Sequence, residues 1–177
     1  MLTQTVPFGS VNARGLIDLQ YSKPGSSLGC PRLTVIDLRL KPLYLLSNSK
    51  HDSRHSTAVE LLRALQAHYV IEHTNLLDLS SELQSLIDPN DFLKPDLEAN
   101  AQQLTISLQH PLSWQGLRLI KLYDQLILMV QFLYSTGSLP GAEPQKYAQK
   151  LRERAGRPVR RFLTQVSKDL ASAGFSS

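Results

Sequence analysis

The stretch Arg32–Lys41, RLTVIDLRLK, decides how the fold is read. Counted in twos, Ile36, Leu38 and Leu40 fall on one side, and Leu33, Val35, Asp37, Arg39 and Lys41 on the other. That is the period of a half-buried strand. A strand would project Asp37, Arg39 and Lys41 from one face in a row. Pro42 comes next; it cannot donate to a ladder but suits the first turn of a helix. A polar-faced strand running into helices can pair antiparallel with its copy in a dimer and enter a DNA major groove. An ordinary amphipathic strand with its charges in water fits the same residues.

Toward the N-terminus, Gly15–Ser22 (GLIDLQYS) alternates Ile17, Leu19 and Tyr21 with Asp18, Gln20 and Ser22, which predicts a second strand. The turn-dense Lys23–Pro31 between the two is able to fold one back on the other. The ribbon is therefore an intrachain hairpin, or either strand pairs across a dimer; the residues leave both open. Met1–Ala13, with Pro7, Gly9 and Ser10, shows little periodicity and is expected to fray or to dock late. Residues 1–31 thus read as an arm and 32–177 as one domain.

Toward the C-terminus, Pro42–Ser47 predicts a helical turn or two, broken by the polar Asn48–His55. Thr57 with Glu60 forms a capping-box pattern and opens a helix to about Glu72. Thr74 or Asn75 caps the next, which runs to Asp88-Pro89. After a loop, Leu104, Ile106 and Leu108 mark a short strand ending at His110-Pro111. Ser113 opens the longest helix, apolar over much of its surface and closed by Gly137. Two more helices, Pro144–Ala155 and Pro158–Ala171, are separated by Gly156.

The 177 residues carry a net charge of +4, unevenly distributed. Met1–Arg54 holds seven basic and three acidic side chains, Glu60–Glu98 two and eight, and Lys146–Lys168 eight and one. A chain basic at both ends and acidic in the middle favours a polyanionic partner more than its net charge does; solvated charges on a tail and a helix fit equally. The single Cys30 can form no internal disulfide, and no signal-peptide pattern or membrane-length apolar run occurs, so the expected location is cytoplasmic, with no membrane partner. His51 and His55 have metal-pair spacing but no third ligand, and no nucleotide or nucleophile motif is present. The expectation is a protein that is not an enzyme and has no metal or cofactor.

One stretch is more specific. His110–Gly137, HPLSWQGLRLIKLYDQLILMVQFLYSTG, resembles a segment of proteins from integrating conjugative elements and conjugative plasmids, through Pro111, Trp114, Gly116, Tyr123, Asp124, Leu126 and Gly137. DLRLKPLYLL (37–46) and LLDLSSELQSLI (76–87) are similar to that family's strand-to-helix segment and acidic helix. The chain departs from the pattern at Pro42, where relatives start the helix with a polar residue. The resemblance is to the AcaB-like transcriptional regulators and covers about Arg32–Leu163.

It implies a mostly α fold with a short N-terminal β element: a dimeric ribbon-helix-helix with added C-terminal helices. It also implies a bacterial, nucleoid- or plasmid-associated homodimer that binds promoter or operator DNA and activates conjugative transfer genes. RNA polymerase is a further candidate partner. Under it, Asp37, Arg39 and Lys41 become base contacts, Arg39 suited to guanine. Arg32 would touch backbone, and Arg54, Ser56 and Thr57 at a helix start would hold phosphate. Arg152, Arg154, Arg157, Arg160 and Arg161 would add phosphate contacts without specificity. The alternative is a non-regulatory conjugation accessory protein, a relaxosome factor or protein adaptor.

Overall fold

Helix α4, Pro111–Ser135, is the axis of the computed structural model, which describes residues 2–21, 29–87 and 101–175. Its sequence is apolar nearly all round, and thirteen of its residues are buried because α1, α2, α3 and α5 all pack against it. Pro111 sits in the first turn, where a missing N–H costs nothing, and Gly137 ends the helix in the left-handed conformation at φ 71°. Gly116 has a different duty: a Cβ there would come within 2.7 Å of Leu33 and 3.2 Å of Phe162. It lets α2 and α5 close on one point of α4.

The remaining elements are β1 (Leu2–Phe8), α1 (Val11–Ile17), a 3-10 turn (Leu19–Tyr21), α2 (Leu33–Asn48), α3 (His55–Gln84), β2 (Gln102–Leu108) and α5 (Pro144–Ser172). Mostly helical with one two-stranded antiparallel sheet, the molecule keeps the coarse architecture expected from the sequence. The strand expected at Leu104–Leu108 is β2, and its partner is β1, in register Thr3–Ser107, Thr5–Thr105 and Pro7–Gln103.

The strand expected at Arg32–Lys41 is instead the first half of α2. Leu33, Ile36, Leu40 and Leu43 are buried at helical spacing, a stripe that an even-odd count cuts in two. Burying each stabilises by roughly 1.5–3 kcal/mol, whereas an interior proline costs about 3 kcal/mol. The helix therefore runs through Pro42, whose exposed position leaves the bond lost at Leu38 on the solvent side.

The strand expected at Gly15–Ser22 is also helical over residues 15–17 and 19–21: Ala13, Leu16 and Ile17 face the core from α1, and Ser10 caps it by accepting the Ala13 N–H at 3.4 Å. The turn expected at Lys23–Pro31 lies mostly outside the described residues. Within the stretch expected to fray or dock late, residues 2–8 form β1 and residues 11–13 begin α1. Two helix boundaries are absent. Thr74 donates back to the Val70 carbonyl at 3.0 Å and Asn75 to Glu72 at 3.0 Å, so neither caps a new helix and α3 is continuous. Likewise α5 passes through Gly156 and Pro158, both buried.

Two buried carboxylates fasten the ribbon to the helices. Asp124 on α4, fully buried, accepts the N–H groups of Gly9 at 3.0 Å and Ser10 at 2.7 Å, just beyond β1. Asp37 on α2 accepts those of Gln109, at 3.1 Å to each oxygen, and His110, at 3.2 Å, just beyond β2. Since the strands are antiparallel, these anchors hold opposite ends of the ribbon. Tyr44 supports the second by accepting the Leu112 N–H at 3.2 Å and stacking on His110 with ring centres 4.8 Å apart.

Candidate nucleic-acid interface

Asp37, Arg39 and Lys41 do not line up on one face: at about 100° per residue, Arg39 lies across α2 from Asp37 and Lys41. Asp37 is spent on the β2 anchor. Arg39 is half-buried, donating from Nη1 to Ser167 on α5 at 2.9 Å, with its Nε–H buried and without an acceptor. Only Lys41 is exposed. The ribbon these residues were expected to form is formed by β1 and β2 within one chain. Arg32 stands at the N-cap position of α2, half-buried.

Arg54, Ser56 and Thr57 do come together at the N-terminus of α3, all exposed. The capping box does not form there, since Arg54 is the N-cap residue and makes no side-chain cap bond. Asp52 occupies part of this terminus: it accepts the Arg54 N–H at 2.8 Å and lies 3.9 Å from its guanidinium.

The strongest cationic feature is on α5. Because the helix continues past Pro158, Lys150, Arg154, Arg157, Arg161 and Lys168 recur at steps of four, three, four and seven residues. At 3.6 residues per turn those steps keep to one side of the helix, a stripe about 27 Å long. All are exposed, while the opposite face buries Leu151, Ala155, Val159, Phe162 and Val166. Arg152 projects from another side, and half-buried Arg160 folds back over Gly156. Of the five expected arginines, then, Arg154, Arg157 and Arg161 belong to the stripe, with Lys150 and Lys168 joining them.

Arg154 makes a two-pronged pair with Glu82 of α3, at 2.6 and 2.9 Å. The hydrogen bond to Glu82 raises its pKa above the usual arginine value. Lys150, Arg157, Arg161 and Lys168 have no ion pair among the described residues. Two clefts between α3 and α5 border the stripe. One, of about 500 Å³, is lined by His68, Glu72, Arg161, Thr164 and Lys168; the other, of about 270 Å³, by Asn75, Asp78, Arg154, Arg157 and Arg161. Glu72, buried and bonded to Asn75, is the one acidic group of the larger cleft.

The ribbon contributes a neutral polar surface that the sequence does not announce. Val6, Phe8, Leu104, Ile106 and Leu108 point inward. Thr3, Thr5, Gln103, Thr105 and Ser107 point out, with the Thr3 and Ser107 hydroxyls 2.8 Å apart and those of Thr5 and Thr105 3.4 Å apart. Lys121 lies beside it, donating to the Pro7 carbonyl with its ammonium 5.4 Å from the centre of the Phe8 ring. Elsewhere, burial pushes the Cys30 thiol up, opposed by Arg160 and Arg32, and pushes His110 down. Among the described residues no cluster of His, Cys, Asp or Glu is placed to hold a metal, and no helix is long and apolar enough to cross a membrane.

No family model matches the sequence, and no curated protein matches it. Among solved structures the chain is similar to selenomethionine-containing AcaB from uropathogenic E. coli. The TM-score is 0.66 over 98% of this chain and 82% of that one, at 15% identity. The fold resembles that of AcaB. At this identity the likeness is one of architecture, and it carries no residue roles from AcaB to this chain.

Proposed function

We propose that the protein is a DNA-binding regulator of conjugative transfer genes, acting as an activator, and that α5 is its phosphate-binding element. The observation that carries this reading is the stripe Lys150–Arg154–Arg157–Arg161–Lys168, with four of its five cations unpaired among the described residues. Duplex DNA presents one negative charge per about 1.7 Å of axis, so a row of cations exchanges its counterions for phosphates along the whole stripe. Such contacts place a protein on DNA without choosing the sequence.

Choice of sequence is assigned to the outer face of the β1–β2 ribbon. A two-stranded ribbon fits the major groove, a glutamine can pair with adenine N6 and N7, and hydroxyls serve either sign of hydrogen bond. Gln103, Thr3, Thr5, Thr105 and Ser107 supply those groups. They replace Asp37 and Arg39, one buried in an anchor and the other engaged with Ser167. Footprinting on the region upstream of the transfer genes tests the reading: a protected, sequence-defined site is expected, and absence of any duplex binding contradicts it.

A second reading, an adaptor of the conjugation apparatus, has one feature in its favour. A groove of about 440 Å³ on α2, lined by Leu38, Pro42, Leu45 and Phe175 with Arg39 and Arg54 beside them, suits a protein partner. In an activator the same groove is the candidate contact for RNA polymerase. Leu38→Asp separates the two. An activator keeps its footprint and loses only transcription, whereas an adaptor gives no footprint in either form.

A further inference from the structure

Helix α3 carries apolar residues on two faces. One is used: Ala58, Leu65, Leu76, Leu79 and Leu83 are buried inside the protein. Directly opposite run Arg63, Ala67, Val70, Thr74, Leu77 and Ser81, at alternating steps of four and three residues. That is the spacing of a coiled-coil seam, with Ala67, Val70 and Leu77 as its apolar members and Arg63, Thr74 and Ser81 as its polar ones. Val70 is 56% exposed, Leu77 45%, and Ile71 beside them 56%. Scattered surface apolar residues need no explanation, but several placed in register on one line do.

We propose that this face docks on the same face of a second copy, the two α3 helices lying antiparallel about a two-fold axis at the level of Glu72. The occupant follows from the order of residues along the seam. Antiparallel pairing about that level sets Val70 against Thr74 and Ala67 against Leu77, a small residue facing a large one in each outer layer. It brings Arg63 alongside Ser81 and the neighbouring Asp78, so the symmetry creates two such ion pairs, and it sets Ile71 against its own counterpart. Parallel pairing would instead stack Arg63 on Arg63 and Asp78 on Asp78.

The other exposed apolar face, Val35, Leu38 and Leu45 on α2, lacks this property. Its surroundings are Arg39, Lys41 and Arg54, and a second copy there would bring cations together. The proposal goes beyond DNA binding and stands or falls without it.

Sedimentation velocity on the full chain at micromolar concentration, at moderate salt, tests the surface. A dimer is expected for the wild type. Ile71→Glu and Leu77→Glu should each raise the dissociation constant at least tenfold with an unchanged helical circular dichroism. Arg63→Asp should weaken the dimer, and Arg63→Asp combined with Asp78→Arg should restore it, a rescue that misfolding would not produce. In a Cys30→Ser background, Ile71→Cys should oxidise to a covalent dimer. A wild type that stays monomeric overturns the proposal, and so does a dimer indifferent to Ile71→Glu or to the charge swap. Duplex affinity of the Ile71→Glu monomer, measured in parallel, reports on the DNA-binding surfaces of a single copy, so failure of the docking surface and failure of the DNA reading are told apart.

Discussion

Helices α3 and α5 are nearly equal in length, 30 and 29 residues, and lie against each other and against α4. Their inner faces are both largely apolar rows at helical spacing, mostly leucine on α3 and leucine, valine and alanine on α5. Their outer faces differ: α3 shows an apolar seam with few charges, and α5 a row of cations. The fold requires only the inner rows, so the outer ones are explained by what meets them. A partly apolar seam whose charges are complementary to its own copy suits another copy, and an uncompensated cationic stripe suits a polyanion.

The largest effect should come from exchanging inner and outer positions on α3. Leu76→Ala removes a fully buried side chain and should cost about 2–5 kcal/mol of unfolding free energy, whereas Val70→Ala should cost the monomer less than about 0.5 kcal/mol. Denaturant melts of both, on an Ile71→Glu monomer, give the contrast. Equal losses would mean that the outer face is buried within the monomer.

The ribbon anchors come next. Asp124→Asn keeps one acceptor for two N–H groups and should destabilise by about 1–3 kcal/mol. Its pH dependence has a distinctive sign. Burial raises the Asp124 pKa above the ordinary carboxylate value, against the opposing bonds from Gly9 and Ser10 and the nearby Lys121 and Arg14. The folded state then holds a proton that the unfolded state has released, so this residue's contribution falls as pH rises from its unfolded pKa through its raised one. A wild-type-minus-Asn difference that grows over that rise would contradict the assignment; it should shrink.

Within α5 and the ribbon the effects are smaller and separable. Arg157→Gln should flatten the log–log salt dependence of duplex binding by about 0.9, and Arg154→Gln by less, since Glu82 already holds that guanidinium. Gln103→Ala should weaken a specific site by about 1–3 kcal/mol and leave random duplex almost unchanged. A salt slope altered by Gln103→Ala, or a site preference altered by Arg157→Gln, would reverse the roles given to the two surfaces.

Parts of this architecture are legible in the amino-acid sequence. Helix α4 announces itself through its wide apolar surface and Gly137, although it starts at Pro111 rather than Ser113, and β2 through Leu104, Ile106 and Leu108, which form no helical stripe. Arg32–Lys41 misleads because ten residues can satisfy both periods; extending the count to Leu43 favours the helix that Pro42 argues against. Strand β1 is hidden by Pro7 and by Gln4 on its inward side. The stripe on α5 is divided at Gly156 and Pro158, local helix breakers that packing overrules. Asp37, read as a base contact, and Asp124, a member of the resemblance motif, give no signal of their anchoring role, since a carboxylate serving the backbone of a distant segment looks like any other.

The assignment of α5 to the phosphate backbone is tested most directly by one salt titration. Wild type and the variant Lys150→Gln/Arg157→Gln/Arg161→Gln/Lys168→Gln are compared for binding to a random duplex. With Arg154 left on Glu82, the fold should be intact. The slope of log affinity against log salt should fall by about 0.9 for each phosphate interaction removed, roughly 3 to 4 in all, and binding at physiological salt should disappear. An unchanged slope in a folded variant would show that DNA, if bound at all, lies elsewhere on the protein.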